Sequence, residues 1–225
     1  MKIVSGALFL SLLLATASTY AGVVVGGTRV IYDGGKKESS LSVNNPDNVS
    51  YLIQSWIDTG ENGTEKAPFM VTPPLFRLDG SKSNVLRIVR AGGNLATDRE
   101  SLYWMNIKAI PSVEQDNSKN TLQIAVKTRI KLIYRPQGLK GVPEESAEKL
   151  VWKRNGNSLS VTNPTPFYMN FQEVKVGGKE VADVTYVAPQ SSATFKLLSG
   201  VTAGTVTWKI ISDFGGIGEE HRAAL

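Results

Sequence analysis

Thr121-Leu-Gln-Ile-Ala-Val-Lys-Thr-Arg-Ile-Lys-Leu-Ile-Tyr134 carries apolar side chains at almost every even position. Leu122, Ile124, Val126, Ile130, Leu132 and Tyr134 form the row, with only Thr128 intervening. Gln123, Lys127, Arg129 and Lys131 alternate with them, and Ala125 and Ile133 are the exceptions. Successive side chains of a strand face opposite ways, so this period of two predicts a strand with one apolar face. At ~3.3 Å per residue the run reaches on the order of 46 Å, whereas a usual strand has about 5–6 residues. So long an apolar row suits pairing with something outside its own sheet.

At the N-terminus, Lys2 precedes an almost purely apolar run from Ile3 to Leu14, and Thr19-Tyr20-Ala21 is a small-residue cleavage site. Residues 1–21 read as a secretory signal peptide; an N-terminal membrane anchor is the alternative. No other run reaches the ~18 apolar residues a spanning helix needs, so no membrane insertion of the mature chain is expected. The chain contains no cysteine. Disulfides are open to an exported protein, so a cysteine-free one must hold by core burial, in units of ~80 residues or more. The same absence removes thiol nucleophiles, CxxC redox chemistry and thiolate metal sites. The formal charge is +5, or +4 without Lys2, and Lys36-Lys37 and Lys153-Arg154 are the only adjacent basic pairs. A nucleic-acid binder would show a basic face with interleaved aromatics, so no nucleic-acid partner is expected.

The other apolar segments also read as strands. Residues 23–32, 41–43, 51–57, 85–89 and 102–110 precede the long run; 150–152, 159–162, 167–174, 181–186, 194–198 and 205–211 follow it. Short strands separated by Gly, Asn, Asp, Pro and Ser indicate sandwiches or barrels. Glu144 to Lys149 could form one helical turn. Arg135-Pro-Gln-Gly-Leu-Lys-Gly-Val-Pro143 is the expected linker, giving domains at 22–141 and 142–225; one irregular sandwich is the alternative. Trp56 falls where an immunoglobulin-like domain often buries a tryptophan.

Little supports catalysis. His221 is the only histidine and is the fifth residue from the end, where a mobile side chain is expected. Neither a Ser-His-Asp arrangement nor a zinc site can be assembled around it. Asp98/Glu100 and Glu219/Glu220 are carboxylate pairs that a cleft could turn to acid–base use, and solvated surface is the plainer reading. The Gly-Gly pairs lack phosphate-loop spacing and read as turns or bulges. No enzyme activity, metal or cofactor is expected.

Residues 95–112, Leu-Ala-Thr-Asp-Arg-Glu-Ser-Leu-Tyr-Trp-Met-Asn-Ile-Lys-Ala-Ile-Pro-Ser, closely resemble the signature of the periplasmic pilus chaperones of the chaperone–usher pathway. Further matches are Thr28-Arg-Val-Ile-Tyr32, Tyr51-Leu-Ile-Gln-Ser-Trp56, Thr72-Pro-Pro-Leu-Phe-Arg-Leu78, Ile130-Lys-Leu-Ile-Tyr-Arg-Pro136, Asn163-Pro-Thr-Pro-Phe-Tyr168 and Asp213-Phe-Gly-Gly216. They follow the family's order across nearly the whole mature chain.

The resemblance implies an all-β protein of two immunoglobulin-like β-sandwich domains at an angle, with a cleft between them. It implies a periplasmic chaperone that folds and stabilises pilin (fimbrial) subunits by donating Leu122, Ile124 and Val126 to an incomplete sandwich, then delivers them to an outer-membrane usher. Pilus chaperones are themselves a known example of that strand addition. Arg29 and Lys131 carry over as the anchor for the subunit's C-terminal carboxylate. Lys131 has the opposite parity to the donor row, so a twist, a bulge or a site on the strand's other face must account for it. Glu100, Arg135 and Asp213 match an interdomain ion network. Leu52, Pro74 and Leu75 match an apolar patch that meets the usher, with core packing an equal reading. The ten residues between Pro111 and Leu122 and the missing cysteine pair suggest the short-loop branch. Two further functions compete. One is an enzyme built on sandwiches; the other is an exported adhesin or structural subunit, which would carry its own N-terminal donor extension.

Overall fold

The computed structural model describes residues 22–60, 67–112, 122–197 and 204–225. The leader, most of the 112–121 loop and Thr121 lie outside the described residues. The described chain is almost entirely strand and turn, arranged as two sandwiches with separate cores.

Among the described residues the first sandwich has nine strands: β1 (Val24–Val25), β2 (Arg29–Asp33), β3 (Glu38–Asn44), β4 (Tyr51–Asp58), β5 (Phe69–Thr72), β6 (Leu75–Leu78), β7 (Ser83–Arg90), β8 (Ser101–Pro111) and β9 (Val126–Arg135). They form a four-stranded sheet, β1-β3-β7-β5, against a five-stranded sheet, β2-β9-β8-β4-β6. The run at 23–32, expected as one strand, is two, and they sit in different sheets. Gly26 and Gly27 make the switch. A Cβ on Gly26 would meet Ser42 Oγ at 1.9 Å, so only glycine lets the chain pass β3 that closely. β2 then pairs parallel to β9, with Arg29 beside Lys131.

In the core, Ile53, Leu86, Ile88, Met105 and Leu132 are fully buried, beside an aromatic group of Tyr32, Phe69 and Tyr134. Trp56 is not part of this core. Ile53 and Ser55 take the inward positions of β4, so Trp56 points the other way and is half-buried.

After Arg135 come a short helix α1 (Pro143–Ser146) and a 3₁₀ turn (Ala147–Lys149), where a helical turn was expected. The second sandwich follows with β10 (Val151–Asn155), β11 (Ser158–Asn163), β12 (Met169–Val176), β13 (Lys179–Glu180), β14 (Tyr186–Val187), β15 (Ser191–Lys196), β16 (Thr205–Ile210) and β17 (His221–Ala224). β10-β11-β15 face the sheet β13-β12-β16-β17, with β14 paired to β12. The expected strand at 181–186 is absent as a unit, because Asp183 turns the chain at φ 58° between β13 and β14. The second core holds the buried tryptophans Trp152 and Trp208, their ring centroids 5.4 Å apart. His221, expected to be mobile, lies in β17 and stacks on Trp208, with centroids 5.7 Å apart and planes at 23°. The strand pairing that holds it (Trp208 opposite His221) is a long-range contact invisible to local sequence.

Candidate functional site: the cleft and the free edge of β9

β9 links the two halves of the site. Its ladder to β8 is unbroken from Ala109 opposite Val126 to Ser101 opposite Tyr134, so no bulge interrupts the alternation. Even positions Ile130, Leu132 and Tyr134 face the first core. Odd positions Arg129, Lys131, Ile133 and Arg135 face the cleft between the sandwiches. The parity difference of Lys131 is thereby explained: from Val126 onward the even, apolar positions and Lys131 occupy opposite faces of one regular strand.

β2 covers only Lys131–Arg135 of β9, leaving the Val126–Ile130 edge unpaired among the described residues. The strand is shorter than the periodicity predicts, because Leu122–Ala125 have no ladder partner. The β8 register would place Pro111 opposite Ile124, and proline has no N–H to donate. Gln123 Nε2 donates to the Pro111 carbonyl instead. Leu122 is 87%, Ile124 65% and Val126 56% exposed, an apolar row continuing the core face beyond the core.

Arg29 and Lys131 are register neighbours on adjacent strands, which lie about 4.8 Å apart. Both cations reach the second sandwich. Arg29 Nη1 donates to the Ile211 carbonyl at 3.3 Å, and its buried Nε has no acceptor among the described residues. Lys131 Nζ donates to Asn170 Oδ1 and lies 4.5 Å from the Tyr186 ring centroid. Burial, then the neighbouring Arg29 charge, lowers Lys131 to about 8. Burial also lowers Arg29, against the pull of Asp213 and Glu144. Two partly desolvated cations and an unused N–H make a strong site for an anion.

Arg135, at the end of β9, bridges the sandwiches. Its Nε donates to Glu100 Oε1 at 2.7 Å, and its Nη atoms donate to both Asp213 oxygens at 2.7 and 2.9 Å. Glu100 Oε2 accepts the Tyr168 amide at 2.7 Å, and the Glu100 amide donates to the Pro166 carbonyl at 2.9 Å. The guanidinium lies 5.3 Å from the Phe167 ring centroid. Burial pushes the Glu100 carboxyl up, opposed by Arg135 and the Tyr168 amide; hydrogen bonds and charge from the two carboxylates outweigh burial and raise Arg135.

Leu52, Pro74 and Leu75 lie on the surface rather than in the core. Leu52 is 42% and Leu75 57% exposed, on the paired strands β4 and β6. Sequence reasoning gave no role to Tyr168, Asn170 and Tyr186, which surround Lys131 and Glu100. The Phe167-Tyr168 match was their only signal.

Comparison with known proteins covers nearly the whole chain. The N-terminal domain of PapD-type pili and flagellar-assembly chaperones matches residues 22–140, and the C-terminal domain of PapD-type pili assembly chaperones matches residues 145–222. The chaperone protein FocC of Escherichia coli is 46% identical over 210 residues, covering 92% of this chain and 92% of its own. The probable fimbrial chaperone LpfB of Escherichia coli O157:H7 is 47% identical over 216 residues, covering 95% and 93%. Among solved structures, the Salmonella enterica SafA pilin–SafB chaperone complex contains a chain with TM-score 0.85 and 42% identity, covering 93% of this chain and 99% of that one. The E. coli chaperone DraB gives 0.81 and 44%, covering 91% and 96%.

Proposed function

Because this chain belongs to the PapD family of pili-assembly chaperones, we propose that it captures pilus subunits in the periplasm, completes their sandwich with its own strand and hands them to an outer-membrane usher. The observation that carries this reading is the Arg29–Lys131 pair at the inner end of an unpaired strand edge. A chain whose terminal carboxylate sits on those cations leaves along the Val126–Ile130 edge, so it runs in the same direction as β9. Leu122, Ile124 and Val126 then enter its groove as the missing strand, with backbone hydrogen bonds giving affinity and alternating side chains setting register.

The two units 22–141 and 142–225 supply the two walls, and Glu100, Arg135 and Asp213 set their angle. The exposed Leu52, Pro74 and Leu75 meet the usher. The role is one of binding, with no catalytic step, metal or cofactor. Co-purification tests it: the exported protein should bring down the pilin encoded beside it. Lys131→Ala or Arg29→Ala should lose that pilin while remaining folded, since a charge-assisted hydrogen bond contributes about 1.5–3 kcal/mol. Wild-type recovery of the pilin by either variant would overturn the anchor.

A further inference from the structure

A backbone hydrogen bond to a carboxylate lies beside the base of the proposed donor row and has no part in the proposed carboxylate anchor. The Gly22 nitrogen is 2.9 Å from Asp47 Oδ2, and the same oxygen accepts the Tyr51 hydroxyl at 2.7 Å. The loop holding Asp47 is fixed on both sides. Its amide donates to Asn45 Oδ1 at 3.1 Å, and its carbonyl accepts from the Ser81 amide at 2.9 Å. Asn45 is fully buried and donates to the Val49 and Asp79 carbonyls at 2.7 and 3.0 Å. Val23, directly after Gly22, lines with Val25 and Tyr51 an apolar cavity of about 200 Å³, and Ile124 and Val126 line it too.

We propose that Gly22 Nα, released as an ammonium when the leader is cut after Ala21, pairs with Asp47 and so holds β1 as the wall that positions Ile124 and Val126. The proposal rests on the leader reading and on the donor role given above. Within a longer chain this nitrogen is a neutral amide with one proton. After cleavage it is a cation with three donors, and its contact with Asp47, until then assisted only by the carboxylate's charge, becomes an ion pair between two full charges. β1 has two residues and a single partner strand, so its end contact decides whether it stays paired. Asp47 is a positioning residue: it acts on the donor row through β1.

Mass spectrometry of the periplasmic protein first fixes the mature N-terminus. A two-by-two comparison then crosses a free against an Nα-acetylated Gly22 with Asp47 against Asp47→Asn. Acetylation and Asp47→Asn should each lower the melting temperature by about 2–4 °C, and the two together should lower it no further. In the parent protein the Gly22 ammonium, followed by NMR, should titrate above the ordinary range of about 7.7–8.0. Capture of the co-expressed pilin should fall several-fold, equally in both single variants. Additive melting losses, or an ordinary amine titration, overturn the pairing. Matching melting losses with undiminished capture overturn the positioning. A mature N-terminus other than Gly22 overturns the proposal through the leader alone and leaves the chaperone reading, tested separately by Lys131→Ala, untouched.

Discussion

Arg135→Ala removes three charge-assisted hydrogen bonds at once, one to Glu100 and two to Asp213. The Glu100 side chain is 1% and that of Asp213 18% exposed, so both carboxylates have little water to turn to. Glu100 would keep only the Tyr168 amide. Removing one partner of a buried ion pair costs about 3–5 kcal/mol, because the remaining charge is left uncompensated. At about 2–4 °C per kcal/mol for a chain of this size, the melting temperature should fall by roughly 6–20 °C. Glu100 can relieve part of the cost by taking a proton, since burial already pushes its carboxyl up and Arg135 is the foremost influence opposing it. A carboxyl raised in the folded state binds its proton more tightly there than in the unfolded chain. The variant is therefore most stable below the unfolded value of about 4.3 and loses stability as pH rises through the higher folded value. Its deficit against the parent should be small in acid and full near neutrality. Glu100→Gln in the same background supplies a neutral side chain and should recover part of the loss. Thermal melts from about pH 4 to about pH 8 test the stability, and X-ray scattering tests the domain angle. A variant melting within about 2 °C of the parent at neutral pH, with an unchanged scattering profile, would refute the reasoning.

Three further outcomes follow from the same geometry. Lys131, lowered to about 8, is the titrating half of the proposed anchor. Binding of a peptide with a free C-terminus should be full below that pH and fall by up to about tenfold per unit above it. Lys131→Arg should flatten the profile, because a guanidinium does not titrate there; calorimetry with free and amidated peptides reads both. Ile124→Asp should leave the melt unchanged, since Ile124 is 65% exposed in the free protein. It should nevertheless abolish pilin capture, where each buried aliphatic side chain contributes about 1.5–3 kcal/mol; a collapsed melt would make Ile124 a core residue. Leu52→Glu with Leu75→Glu should spare subunit capture and weaken binding to the usher, measured by pull-down with the usher's periplasmic domain; unchanged binding would remove the patch.

The alternation at 121–134 contained both faces of the site, and the structure keeps it without a bulge from Val126 to Tyr134. Periodicity alone could not place the strand's start, because a ladder ends where its partner ends, and that partner is set by Pro111 on another strand. Nor could it split residues 23–32 between two sheets: the cause is the approach of Ser42 to Gly26, a tertiary contact. Short strands such as β13, β14 and β17 carry too few residues for a period to register. At the site, Arg29, Lys131, Glu100, Arg135 and Asp213 were reached through resemblance, since separate charges have no local pattern that distinguishes them from solvated surface. Asn170 and Tyr186 belong to β12 and β14 of the second sandwich and approach Lys131 only after docking.

The parallel pairing of β2 with β9 also fixes an order of events. Arg29 stands near the start of the first sandwich, and its neighbour Lys131 follows about a hundred residues later, so their contact is among the least local in that sandwich. If the chain is exported from its N-terminus as proposed, the two cations cannot meet before residue 131 has emerged. The unpaired edge of β9 arises in the same late step. On the proposed function, an emerging chain can neither grip a client nor be gripped by one until its first half has closed upon itself.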